Sequence, residues 1–222
     1  MTGRGGRRRE LLIFDLDGTL IDSKRDLTDS VNATRAWKNL APLPDDIVSA
    51  YVGNGAAMLI RRALPHLTDE EHAEAHKYFL QYYRDHMLDQ TVLYPGVREG
   101  LDRLHAASVP MAILTNKPVK FSVRLIAGLK LDQHFFRIYG GNSFEEKKPH
   151  PIGIETLIGE SDADRNRTVM VGDSAVDVNT ARNAKVQACG VSWGFQPETF
   201  EHAPPDFIVD DLRDLANRVL AS

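Results

Sequence analysis

Phe14 to Ser23 reads FDLDGTLIDS, and this stretch decides the fold. The run before it, Leu11-Leu12-Ile13-Phe14, is short and apolar, as in a strand buried on both faces of a parallel sheet. Gly18 frees the chain to turn sharply off that strand, and Thr19 is expected to hydrogen-bond back across the turn. Asp15 and Asp17 therefore stand at a strand's C-terminal end, where open α/β sheets place their ligands. Two positions apart, they face one side, and like charges held so close perturb each other's ionisation. A divalent cation is the expected compensation. A fixed D-x-D-G-T arises by chance in on the order of one chain in a thousand of this length, so an ordinary acidic turn is the weaker explanation.

Further along, at Leu93-Tyr94-Pro95-Gly96, a regular alternation begins. Helices are expected at Val97 to Ala107, Val119 to Leu129, Pro151 to Gly159, Ala175 to Ala184 and Leu212 to Leu220. Strands are expected at Pro110 to Leu114, Phe136 to Tyr139, Thr168 to Val171, Gln187 to Ser192 and Phe207 to Val209. Such alternation implies an α/β fold with a parallel sheet covered on both sides. Between Asp22 and Gln90 the pattern is helical instead, with segments at Val31 to Leu40, Asp45 to Val52, Ala56 to Leu64 and Asp69 to Leu88. Thr68 and Glu71 make a capping box for the last of these. Its stripe of Ala75, Tyr78, Phe79, Tyr82 and Tyr83 reads as core rather than as a platform for a ligand. The expected organisation is a sheet core at residues 10–21 and 91–222, with a helical cap at 22–90 inserted after the first strand.

Three other stretches fall where this sheet would carry them to Asp15. Thr115-Asn116-Lys117 follows a strand and opens a helix, placing a hydroxyl and an amide where an oxyanion can sit. Lys147-Lys148-Pro149-His150-Pro151 holds a lysine in a stiff segment, with His150 expected to cap or pack; an ordinary surface lysine is the alternative. Gly172-Asp173-Ser174, with Asp177 four residues after Asp173, resembles a magnesium-ligand arrangement. There Asp173 is the ligand, and Asp177 stands behind it or favours its helix's first turn.

Together these groups suggest phosphoryl transfer. Asp15 is placed to attack phosphorus and Asp17 to protonate the leaving oxygen and later to deprotonate water. Magnesium, Lys148, Thr115 and Asn116 would balance the charge on the transferring oxygens. In the insert, Gly53-Asn54-Gly55 is the expected contact with the leaving group. Its glycines allow close backbone approach, Asn54 offers donor and acceptor, and a helix N-terminus follows. A turn between two helices is the plain alternative.

Composition narrows the partners. The 222 residues are 42% hydrophobic and 26% charged, without an apolar run long enough to span a bilayer. The opening MTGRGGRRR, residues 1–9, reads as a disordered basic tail, and no hydrophobic signal region follows its paired arginines. Without its four arginines the rest carries 23 basic against 31 acidic residues, near −8, which argues against nucleic acid as a partner. Cys189, the lone cysteine, reads as a small core residue, and the lack of disulfides fits a cytoplasmic protein. The expected partner is a small phosphate ester, with no membrane and the chain a monomer or homodimer.

From residue 10 to 221 the chain resembles the haloacid dehalogenase superfamily, and within it the phosphoglycolate phosphatase-like enzymes. The resemblance rests on FDLDGT, TNK, KKP and GDS in order, with VGNGA at Val52 to Ala56 and LYPGV at Leu93 to Val97. It implies a Rossmann-like core with a mobile helical cap. It also implies that Asp15 is nucleophile and metal ligand, and that Asp17 is acid/base and binds metal through its backbone carbonyl. Thr115 and Asn116 would bind phosphate, Lys148 would be the motif lysine, and Asp173 would bind magnesium. Lys185 departs from the glycine usual after the fourth motif's helix. Dehalogenase and phosphonatase relatives lack the second aspartate, so Asp17 favours ester hydrolysis, with 2-phosphoglycolate the expected substrate. A sugar phosphate phosphatase, a phosphosugar mutase and a pyrophosphatase remain alternatives. A receiver-like signalling module would need neither Asp17 nor a cap.

Overall fold

The computed structural model describes residues 9–221. The basic tail expected at residues 1–9 lies outside them, except that the Arg9 backbone already belongs to the first strand, β1 (Arg9–Phe14). Leu11, Leu12, Ile13 and Phe14 are all fully buried. Alternation sends Leu12 and Phe14 into the core on one face and Leu11 and Ile13 into the core on the other. That two-sided burial is why the strand reads as a continuous apolar run.

The other strands of this sheet are β4 (Met111–Leu114), β5 (Arg137–Tyr139), β6 (Ala163–Gly172), β7 (Gln187–Val191) and β8 (Phe207–Val209), after the short β2 (Ile21–Asp22) and β3 (Val92–Leu93). The six-stranded order is β5-β4-β1-β6-β7-β8, and every pairing is parallel. Strand order reverses at β1, so its C-terminal end opens into the crevice between β4 and β6. The crossover helices are α5 (Val97–Ala106), α6 (Val119–Gly128), α7 (Ile152–Ser161) and α8 (Ala175–Ala184), and α9 (Leu212–Leu220) packs against the sheet after β8. β6 starts earlier than the sequence pattern indicated because its polar first half, paired to β1 only at Arg9 and Ala163, carries no apolar signal.

Between β2 and β3 lie α1 (Lys24–Trp37), α2 (Asp45–Ala50), α3 (Ala56–Ala63) and α4 (Asp69–His86). Helix α1 begins seven residues before the expected Val31. Its inward face is polar by composition, with Thr28, Ser30 and Thr34 all buried. Ser30 Oγ donates to Asp26 O at 2.7 Å and Thr34 Oγ1 to Ser30 O at 2.8 Å, so these two hydroxyls are satisfied within the helix, while that of Thr28 has no partner among the described residues. Helix α4 starts as expected: Glu71 N–H donates to Thr68 Oγ1 at 3.2 Å and Thr68 N–H to Glu71 Oε2 at 2.8 Å.

The insert's two ends are tied together. β2 and β3 pair antiparallel, a two-residue ribbon too short to leave a periodic signal. Beside it the buried Asp26 carboxylate accepts from Gln90 N–H at 3.0 Å, Thr91 N–H at 2.8 Å and Thr91 Oγ1 at 2.7 Å. Among the described residues no helix is long and apolar enough to cross a membrane.

Candidate active site

The parallel register delivers three strand ends to one place. Asp15 follows β1 directly and donates its N–H to Val171 O at 2.9 Å. Thr115 and Asn116 follow β4, and Asp173 and Ser174 follow β6. Gly18 takes φ +82°, and a Cβ there would lie 2.3 Å from Asp173 Oδ2, so only glycine lets the β1 turn pass this close to the β6 end. The turn itself closes through backbone bonds. Contrary to expectation, the buried Thr19 hydroxyl has no partner among the described residues, while Thr19 O accepts from Trp193 Nε1 at 3.2 Å.

Each aspartate of the first motif has its own lysine. Lys148 Nζ lies 2.9 Å from Asp15 Oδ1 and 2.6 Å from Asp177 Oδ1. Lys117 Nζ lies 2.9 Å from both Asp17 oxygens, and Ser23 Oγ donates to Asp17 Oδ1 at 2.6 Å. Burial alone would push both ammoniums down, but the facing carboxylates outweigh it and hold both above the usual lysine value. The sequence pattern gave Lys117 no role. The signal was available in the charge count, since two adjacent buried aspartates call for two cations.

Asp15, Asp173 and Asp177 form a buried cluster, with one oxygen of each within 4.8 Å of the others. Burial raises Asp15 to about 6 against the pull of Lys148. Burial, and then the charges of Asp177 and Asp15, raise Asp173 well above the carboxylate range. Asp177 is committed: besides Lys148 it accepts from Ser174 N–H at 3.2 Å and Ser174 Oγ at 2.9 Å. Asp173 Oδ2 accepts from Phe195 N–H at 2.7 Å, and Asp15 Oδ1, fully buried, lacks an aligned hydrogen-bond donor among the described residues. An all-oxygen set with spare lone pairs and suppressed ionisation fits a hard divalent cation.

Asn116 is placed differently from the expected oxyanion donor. Its amide donates to Gly53 O at 2.8 Å and Lys148 O at 3.0 Å and accepts from Lys148 N–H at 3.0 Å. It thus fixes the Lys148 backbone and pins the insert to the sheet. Thr115 Oγ1 accepts from Lys117 N–H at 3.3 Å and keeps its own proton to donate. His150 Nδ1 accepts from Ile152 N–H at 3.3 Å, the capping role expected of it.

A cavity of about 50 Å³ lies between this floor and the insert. Gly53 and Gly55 line it, with Gly55 at φ +88° and a would-be Cβ 3.2 Å from Asn116 O, so the backbone does approach closely. Asn54 is not part of the wall; its Oδ1 accepts from Arg62 Nη2 at 2.7 Å. Phe79 and Tyr83 were expected to be core alone, yet they are both buried and part of the wall. Gln196 was not foreseen. Its Nε2 lies 2.9 to 3.2 Å from the carbonyls of Ser49, Ala50 and Val52, fastening the loop after β7 to the insert. Nothing local in the sequence marks it, because its partners are backbone atoms about 145 residues away.

Comparison with known proteins agrees with this geometry. The chain is 41% identical over 190 residues to a phosphoglycolate phosphatase of Chromobacterium violaceum, covering 82% of this chain and 84% of that one. It is 38% identical to a phosphoglycolate phosphatase of Vibrio vulnificus over 96% of this chain and 97% of that one. The crystal structure of a predicted phosphoglycolate phosphatase from Haemophilus somnus superposes with a TM-score of 0.90 at 32% identity, covering 96% of this chain and 99% of that one. Residues 12–191 match the haloacid dehalogenase-like hydrolase model, and the chain belongs to that family.

Proposed function

We propose that this protein is a magnesium-dependent phosphatase that hydrolyses a small phosphate monoester, 2-phosphoglycolate above all, through an aspartyl-phosphate on Asp15. The observation that carries the reading is the buried Asp15–Lys148–Asp177 chain beside Asp173, since it gathers three carboxylates around one ammonium and leaves the excess negative charge for a cation to balance. Asp15 and Asp173, with the Asp17 backbone carbonyl, would hold the cation. When bound, it would neutralise phosphoryl charge and favour the ionised form of Asp15.

In the first step an Asp15 oxygen bonds to phosphorus as the ester oxygen leaves with a proton from Asp17. Lys148 holds Asp15 in line, and the Thr115 hydroxyl donates to a phosphoryl oxygen. In the second step Asp17 takes a proton from water, which attacks phosphorus and frees Asp15. The helical insert acts as a mobile cap that excludes water from the first step. A cavity of about 50 Å³, room for a few waters, favours a two-carbon leaving group over a hexose. The phosphoglycolate phosphatases among the relatives support the same substrate.

A kinetic screen of small phosphate esters, with magnesium present and after chelation, tests this. Phosphoglycolate should give the highest kcat/KM, and turnover should vanish on chelation. A preference for hexose phosphates, or undiminished activity in chelator, would overturn the reading.

A further inference from the structure

Two polar groups of the cavity wall, Lys117 and Tyr83, have no direct part in the phosphoryl-transfer steps above. Lys117 is 7% exposed and is the only cationic side chain of that wall among the described residues. Its ammonium sits against Asp17, and 4.5 Å from the centre of the Tyr83 ring. Tyr83 comes from α4 of the insert, lines the same wall and is 1% exposed, and its hydroxyl proton has no acceptor among the described residues. A buried hydroxyl proton without an acceptor is costly, so this one calls for an acceptor. Other side chains that the insert contributes, Leu27, Val52, Leu59, Phe79 and Leu80, are apolar.

We propose that Lys117 and Tyr83 together bind a carboxylate carried by the substrate's leaving group, and so set the enzyme's preference for acidic esters. The proposal rests on the phosphoglycolate reading above and assigns the residues that would enforce it. A carboxylate has two acceptor oxygens, one for the ammonium and one for the phenol hydrogen, and charge-assisted bonds are strongest in so dry a site. A sugar would instead set several hydroxyls against apolar side chains, where they would stay unpaired. Lys117 belongs to the sheet side and Tyr83 to the insert, so one carboxylate bridges the two. Drawing Lys117 toward it also loosens the pair that holds Asp17.

The test compares phosphoglycolate with ethyl phosphate, which has the same two carbons and a methyl in place of the carboxylate. Wild-type protein should favour phosphoglycolate by about 100-fold or more in kcat/KM, since a site built around a polar group rejects the analogue lacking it. Tyr83→Phe should cut that ratio roughly tenfold, and Lys117→Met more, with Lys117→Arg restoring part of it. Thermal melts establish which variants fold; Tyr83→Phe, a near-isosteric change, carries the test if Lys117→Met does not. A wild-type preference that survives intact in the folded variants overturns the proposal while leaving the phosphoglycolate reading standing. Equal wild-type turnover of the two esters overturns both.

Discussion

The floor and the roof of the cavity are built on opposite principles. The floor, from the sheet, packs Asp15, Asp173, Asp177 and Lys148 into a buried network in which one ammonium is shared by two carboxylates and each aspartate has a fixed neighbour. The roof, from the insert, is apolar apart from the backbone at Gly53 and Gly55 and the Tyr83 hydroxyl. Phosphoryl transfer needs charges fixed before the reaction, which the floor supplies. Choosing a leaving group needs only shape and one or two polar contacts, which is what the roof offers. The comparison predicts that floor substitutions abolish turnover of every ester, whereas roof substitutions change affinity and selectivity.

The largest effect should follow Asp15→Asn, a loss of about 10⁴-fold or more in kcat for all esters with the fold retained. Asp17→Asn should lose about 10²- to 10⁴-fold, less for a nitrophenyl ester whose leaving group needs no proton. Asp15→Asn activity within tenfold of wild type would remove it as nucleophile. Equal losses on nitrophenyl and alkyl esters would remove Asp17 as acid.

Next in size is a pH effect on the floor. In metal-free protein Asp15 holds its proton up to about pH 6 when folded, against 3.8 for the ordinary carboxyl. The folded state therefore binds more protons in that window, and its stability falls as pH rises from about 4 to about 6. The two-unit gap corresponds to on the order of 3 kcal/mol. Denaturant melts in chelator should show a steeper decline in wild type than in Asp15→Asn, which keeps the raised Asp173, and magnesium should reduce it. A flat difference between the two proteins across that range would contradict it.

Smaller still is the tie between the two regions. Gln196→Ala removes hydrogen bonds to the insert, and should raise KM roughly three- to tenfold while kcat changes less than twofold, at ~1 kcal/mol for such contacts. An unchanged KM would show that Gln196 does not hold the roof. Outside both regions, Lys185 ends α8 with φ +56° and ψ +46°, where glycine is favoured. Lys185→Gly should stabilise the fold by about 1 kcal/mol in denaturant melts without altering turnover.

Much of the floor was legible because local rules place it. A two-sided apolar strand followed by Asp-x-Asp-Gly-Thr fixes where Asp15 must stand, and βα alternation carries Asp173 and Lys148 to the same sheet end. The roof was less legible. Helix α1 hides its start behind buried hydroxyls that bond their own helix, and β2 and β3 are too short for any periodicity. Tyr83 lies on a stripe that satisfies helical packing and lines the cavity at once, and sequence spacing cannot separate the two. Asn54, chosen for its chemistry, is taken by Arg62 eight residues on, a pairing fixed by the bend between α2 and α3. Lys117 was in view but unassigned, because its role depends on which aspartate it faces.

The central claim is that Asp15, not water, attacks the ester's phosphorus. The most direct measurement is the stereochemistry of hydrolysis for a phosphorothioate ester made chiral at phosphorus with oxygen isotopes and turned over in labelled water. Two in-line displacements, on Asp15 and then off it, predict net retention. Net inversion would mean a single attack by water and would contradict the account.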